Sequence, residues 1–344
     1  MEIKNTNKNI IFKSMLITIF IIFGLSKSNP DIQNYLQIFD YLNNSNTFFY
    51  PYIEPGFSLL IKCFSIIGLD YFNLILFIAL IFCIFLYKYI KRYSVNPSIV
   101  LVFYIFFPFF LDIVQIRNSI AMLLILYGVG LLSEKKYLRY VVLVLIATSF
   151  HNTSIFYLSF LLVCINNKQN LIRLVLLIVS VSFLFKDAII NFIVRIIPLG
   201  SKYIRYLEGS KPSTVVLFIF FFMLNIFIIN MMVTGIIKYN ENWNYLSESQ
   251  IQFVEVVYKI NIIIFLSFMF ISMDVDFFRL YRNIIIMNYI LFSNTFYNRK
   301  TLLCPELNIS QILFFIFSLA IGFAFLYNNQ FNHVVIQIIK SVQL

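Results

Sequence analysis

Between Lys211 and Lys238 no residue carries a charge, and no soluble fold readily hides a segment of that length. A helix over residues 213–237 would extend roughly 38 Å, more than the ~30 Å hydrocarbon thickness of a bilayer. Its apolar residues surround the helix on every side, as lipid or a fully buried position requires. Similar runs predict further spans near 14–26, 71–90, 97–115, 118–133, 171–186, 251–272, 281–297 and 309–327. With 61% hydrophobic and 12% charged residues among 344, and a mean hydropathy of +0.88, the chain falls outside the globular range. The expected fold class is all-α: a polytopic transmembrane helical bundle of about 10 to 11 membrane helices, forming one integral membrane domain over residues 1–344.

Two regions depart from simple spans. Residues 138–165 are too long for one ordinary crossing and are interrupted by His151, Asn152, Thr153 and Ser154, so two short helices forming a hairpin are expected. The segment Pro55 to Leu69 is short, with Lys62 at its middle; a re-entrant or interfacial helix on the outer side fits it, provided protein shields its ends. Lys88, Lys91 and Arg92, Lys135, Lys136 and Arg139, and Arg299 with Lys300 cluster between apolar runs, the bias that orients membrane helices with cations in the cytoplasm. That bias predicts a cytoplasmic N-terminus, with Lys4, Lys8 and Lys13 ahead of the first span and no small-residue cleavage site after it. It also predicts extracytoplasmic loops at 27–56 and 186–212, and a cytoplasmic loop at 238–250. The side on which residues 328–344 lie stays open.

The net charge of +11 follows the same clusters and forms no basic stripe with interleaved exposed aromatics, so no nucleic-acid partner is expected. Cys63, Cys83, Cys164 and Cys304 lack CxxC spacing, which argues against a disulfide framework or a zinc site.

Several polar residues sit where apolar runs meet, and each has a bland and a chemical reading. Arg117 lies between two apolar runs with Asn118 and Ser119 at the start of the next helix. It is a snorkelling cation or an anion contact assisted by helix N–H groups. Glu54, followed by Pro55 and Gly56, reads as a helix-start partner or as a carboxylate serving as general base. His151 is a hydrogen-bonded structural histidine or a proton-transfer group. Arg279 and Arg282 are three positions apart on one helical face, paired with Asp274 and Asp276 or clamping a diphosphate. Tyr203 and Arg205 in the second long loop mix an aromatic and a cation, as sugar- and phosphate-binding loops and interfacial belts both do. Glu54, Arg117, His151, Arg205, Arg279 and Arg282 all map to the predicted outer face, where arginines defy the orientation bias and an anionic lipid-linked substrate would give them a reason. Walker, GxGxxG, HExxH and GxSxG motifs are missing, so neither a nucleotide cofactor nor a metal site is expected.

Taken in order, Tyr52-Ile53-Glu54-Pro55-Gly56-Phe57-Ser58-Leu59-Leu60, Gln115-Ile116-Arg117-Asn118-Ser119-Ile120-Ala121, Ser149-Phe150-His151-Asn152-Thr153-Ser154 and Arg279-Leu280-Tyr281-Arg282 resemble the EpsG-type polysaccharide polymerases, relatives of the Wzy O-antigen polymerases. The resemblance covers roughly residues 30 to 300. It implies a bacterial inner-membrane enzyme that extends surface polysaccharide (O-antigen, capsule or exopolysaccharide) outside the cytoplasmic membrane. The growing glycan would pass from undecaprenyl diphosphate to the non-reducing end of the next lipid-linked repeat unit. The implied partners are the undecaprenyl-diphosphate-linked oligosaccharide, membrane lipid, a chain-length regulator and a flippase; no cofactor is implied. Such a reaction needs cations for the departing diphosphate, which Arg117, Arg279 and Arg282 could supply without metal, and a base, for which Glu54 and His151 are both available. With no clear second carboxylate for a covalent intermediate, inversion at the anomeric carbon is expected. A flippase or transporter of lipid-linked glycan, an O-antigen ligase, or another polyprenyl-dependent membrane glycosyltransferase are the alternative readings.

Overall fold

The computed structural model describes residues 2–51, 53–185, 188, 211–296 and 305–342. Among these, five helices are long and apolar enough to cross a membrane, and six shorter apolar helices accompany them. No named strand is present among the described residues, whose one β-bridge is an isolated antiparallel pair, Ser26 with Val342. The bundle is the all-α polytopic architecture that the apolar runs require, since helices satisfy their own backbone groups in lipid.

Helix α1 (Glu2–Leu25) is followed by α2 (Ile32–Asn44) and α3 (Pro55–Ile66) at one end of the bundle. Pro55 occupies the first turn of α3, where its missing N–H costs nothing. Lys62, the cation inside this apolar helix, is buried and donates from Nζ to the carbonyls of Leu42 (2.8 Å) and Ser45 (2.7 Å). It thereby serves unpaired acceptors at the C-terminal end of α2 and ties the two short helices together. Helix α4 (Tyr71–Tyr93) starts at Asp70, whose carboxylate accepts from the Asn73 N–H at 2.8 Å, and ends with Lys91 and Arg92 in its last turn. The acid at its start and the two cations at its end suit the helix dipole.

The run expected as a single span over 97–115 is broken. Helix α5 (Pro97–Phe106) stops before Pro108, α6 (Phe109–Val114) is a separate turn and a half, and α7 (Ile116–Ser133) restarts after Gln115. Proline removes a helical donor and disfavours helical backbone at the residue before it, and Phe107 is extended (φ −162, ψ 130). The expected hairpin forms as α8 (Tyr137–Phe150) and a 3-10 helix (Asn152–Cys164), with His151 extended between them. The Tyr140 hydroxyl donates across the hairpin to the Tyr157 carbonyl at 2.6 Å.

After α9 (Lys168–Leu184) come α10 (Pro212–Trp243) and α11 (Glu248–Ile263), which continues through a 3-10 turn into α12 (Phe268–Met273). The span expected at 281–297 is shorter than a bilayer: α13 (Arg279–Arg282) is one turn, and α14 runs only Ile285–Asn294. What such a short helix lacks in length it gains in burial, for every residue from Ile285 to Asn294 is buried. Asn261 and Asn288 exchange amide hydrogen bonds at 2.8 and 2.9 Å, Asn225 donates to Asn261 at 2.9 Å, and the Tyr281 hydroxyl donates to Asn225 at 2.7 Å. This buried ladder joins α10, α11, α13 and α14, and polar bonds of this kind hold helices together where lipid offers no hydrophobic drive.

Helix α15 (Pro305–Phe325) is continued by a π-helical stretch, Leu326–Ile336, and by α16 (Gln337–Ser341). Ser341 Oγ lies 3.1 Å from Ser26 Oγ, and Gln337 Nε2 donates to Ser28 Oγ at 2.8 Å. The tail therefore lies at the same end as α2 and α3. At the opposite end, Glu134 receives Arg92 (2.8 Å) and Lys136 (2.5 Å), Gln250 donates to the Arg92 carbonyl (3.3 Å), and Asn294 donates to the Tyr93 carbonyl (2.9 Å). That end is called the basic end below.

Candidate functional site

Three separate segments meet at the end away from the basic cluster. Gly56, in the first turn of α3, lies against the last turn of α8: a Cβ built on it would be 2.7 Å from the Ser149 carbonyl oxygen. A glycine here is a packing requirement. The close approach brings Glu54, the residue that precedes α3, up to the turn at His151 and Asn152. The Asn152 N–H donates to Glu54 Oε1 at 3.1 Å, and His151 Nδ1 lies 3.4 Å from the same oxygen. The other oxygen, Oε2, accepts from Arg117 NH1 at the start of α7. Glu54 and His151 are buried, at 7% and 9% exposure.

Buried charge is costly unless paired, and the titration of Glu54 reflects that contest. Burial alone would raise its carboxyl, but the His151 imidazole, the Arg117 guanidinium and the N–H of Asn152 outweigh it and hold the group at about 2. His151, at the turn between its two flanking helices, moves the other way. Burial pushes its imidazole below the ordinary histidine value, Glu54 opposes this, and the positive charges of Arg279 and Arg117 reinforce it. The imidazole is thus neutral at pH 7 and able to accept a proton, whereas Glu54 is an ionised anchor already committed to Arg117.

The arginines from the α13 turn divide. Arg282 is buried at 4% exposure. Its NH2 donates to Gln115 Oε1 at 2.7 Å and lies 3.7 Å from Asp112 Oδ1, while Asp112 Oδ2 accepts from the Tyr104 hydroxyl at 2.7 Å. Arg279 is half-buried and donates from Nε to the backbone carbonyl of Asp276 at 2.9 Å. The Asp274 carboxylate is occupied by the Asp276 N–H at 2.6 Å. Asn118 exchanges two amide bonds of 2.9 Å with Asn283, so its side chain fixes the segment after α13 against α7. Tyr203 and Arg205 lie outside the described residues.

Several buried polar atoms in this region have no hydrogen-bond partner among the described residues: Arg117 Nε, His151 Nε2, Ser154 Oγ and Arg282 Nε, while His151 Nδ1 has the 3.4 Å approach of Glu54. Native proteins satisfy almost all such atoms, so their concentration here makes this end the candidate binding region. Among the described residues no group of three or more His, Cys, Asp or Glu side chains could hold a metal ion.

Sequence reasoning did not single out Asp112, Gln115 or Tyr35. Asp112 could have been found as the lone acid in the apolar stretch between Arg92 and Arg117, since an ionisable residue at membrane depth is a functional candidate by default. Tyr35 on α2 has its ring 6.0 Å from the Arg117 guanidinium and stacks at 6.5 Å on Tyr71. Nothing in its amphipathic helix distinguishes it in advance.

The family model described as the EpsG family matches residues 9–338. No curated protein and no solved structure matches the chain.

Proposed function

Because the chain belongs to the EpsG family, a family of polysaccharide polymerases, we propose that it extends a surface polysaccharide by transferring the growing glycan from undecaprenyl diphosphate to the non-reducing end of the next lipid-linked repeat unit. The observation that carries this reading is the meeting of Glu54, Arg117 and His151 beside buried, unpartnered nitrogen and hydroxyl groups at one end of the bundle. The basic clusters at the opposite end favour placing this site on the extracytoplasmic face of the inner membrane.

In the proposed step the acceptor sugar hydroxyl attacks the anomeric carbon of the donor. A new glycosidic C–O bond forms as the bond to the diphosphate oxygen breaks. Neutral His151 takes the hydroxyl proton, and the diphosphate departs with the bonding electron pair. Arg117 and Arg279 face the charge that develops on the leaving group, the stage at which fixed donors lower a barrier most. Glu54 holds Arg117 in place and orients His151 through the ring nitrogen that does not take the proton. Asp112, Gln115 and Tyr104 hold Arg282 behind them. Tyr203 and Arg205 are proposed as further contacts to the sugar or phosphate. A single displacement inverts the anomeric centre, and a retained configuration in the linkage would refute it.

Deletion of the gene tests the reading. Cells without the polymerase should keep a single repeat unit on the acceptor lipid and lose the ladder of longer chains on a gel. A flippase or ligase defect leaves no repeat unit there at all, and that outcome would overturn the proposal.

A further inference from the structure

At the basic end, far from the site above, the last turns of α4 and α7 and the start of α8 enclose a cavity of about 460 Å³. Lys88, Arg92, Lys136 and Arg139 line it, with Glu134 as the one acid. Glu134 engages Arg92 and Lys136, whereas Lys88 and Arg139 are exposed and enter no ion pair among the described residues. Orienting a membrane protein needs cations near the surface, but it needs no cavity between them. This cavity has a second polar feature in its wall: Tyr89 is 5% exposed, and its hydroxyl has no hydrogen-bond partner among the described residues. The room depends on Gly130, since a Cβ there would lie 2.7 Å from the Tyr93 hydroxyl.

The rest of the lining shows what kind of anion fits. Phe85, Tyr127 and Leu131 belong to the same wall. Tyr127 is seven residues before Glu134, roughly 10 Å deeper along α7, and Phe85 is equally far from Arg92 along α4. Tyr127 is 53% exposed on the flank of an apolar helix. Cations at the helix ends above a strip of apolar and aromatic surface running into the bilayer match an amphiphile with a phosphate head.

We propose that this cavity binds the phosphate headgroup of an anionic phospholipid. Lys88 and Arg139 meet the phosphate charge, the Tyr89 hydroxyl donates to a phosphate oxygen, and an acyl chain lies along Phe85, Tyr127 and Leu131. A free phosphate would use the same cations but not the apolar strip.

The test is lipid titration of the purified full chain in detergent micelles, with bound lipid counted by native mass spectrometry. Palmitoyl-oleoyl phosphatidylglycerol is expected to bind more tightly than the matching phosphatidylcholine. The double variant Lys88→Ala/Arg139→Ala is expected to weaken phosphatidylglycerol binding about 30-fold, and Tyr89→Phe, which removes one hydroxyl, about tenfold. Inorganic phosphate at the same concentration is expected to leave the bound lipid in place. Equal binding of the two lipids would overturn the proposal, as would unchanged affinity in both variants. Displacement by inorganic phosphate would assign the site to the free ion and overturn the lipid reading. Should the double variant not fold, Tyr89→Phe decides alone.

Discussion

The two ends of the bundle both carry cations, but they use them differently. At the basic end, Arg92 and Lys136 share Glu134 with 49%, 45% and 30% of their side chains exposed, and water screens most of what such pairs contribute. At the other end, Arg117 and Arg282 meet Glu54 and Asp112, whose side chains are only 6% and 1% exposed. There a lost partner leaves a charge without compensation. The same residue types are therefore close to interchangeable at one end and highly constrained at the other. Charge counts do not reveal this difference; depth and partner do.

Substitutions can break or sharpen that contrast. The largest effect is expected for His151→Ala, which removes the proposed base and should cut polymer formation by about 10²- to 10⁴-fold in membranes carrying normal amounts of the protein. Longer chains at wild-type rate would assign the base elsewhere. The acid side of the rate profile sharpens the reading further. A neutral base stops working once protonated, and burial holds His151 below the ordinary histidine value, so the wild-type rate should fall only as pH drops below about 6.5. Glu54 raises the His151 value and Arg279 lowers it. The residual activity of Glu54→Gln should therefore lose its rate at a lower pH than wild type, and that of Arg279→Ala at a higher one. Identical profiles in all three would separate the imidazole from the chemistry.

A stability measurement comes next in size. Asn118→Ala strips Asn283 of both its amide bonds and should lower unfolding stability by about 1–2 kcal/mol, read as a shift in the denaturation midpoint in detergent. The smallest effect belongs to the basic end. Lys91 is exposed and, among the described residues, donates only to the Tyr87 hydroxyl at 3.1 Å, and Lys91→Ala should change stability by less than about 0.5 kcal/mol and leave the polysaccharide ladder as it is. A large loss there would erase the contrast between the ends.

Much of the bundle could be read from uncharged runs, because a span needs only length and apolarity, and both are local properties. The hairpin around His151 was legible for the same reason: one long apolar stretch with a polar knot at its centre. The broken span at Pro108 and the ten residues of α14 were not anticipated. Apolar content stays high through a proline break, and a short helix whose sides are wholly covered by protein reads like part of a longer one exposed to lipid. In the candidate site, Glu54, Arg117 and His151 stood out as polar residues at the junctions of apolar runs. Their contact did not, since it depends on Gly56 letting α3 approach the end of α8. Nor did the different partners of Arg279 and Arg282. Three-residue spacing places them on one helical face, but only the Asp112 and Gln115 partners reveal which of the two is committed inward.

Arg117→Ala tests the central claim most directly, because it removes the guanidinium shared between the Glu54 anchor and the proposed diphosphate while leaving the bundle's apolar contacts in place. In a deletion strain complemented with this variant at wild-type membrane levels, surface polysaccharide resolved on a gel should show single repeat units and no ladder. A ladder of wild-type length and intensity would contradict the assignment of this site to polymerisation.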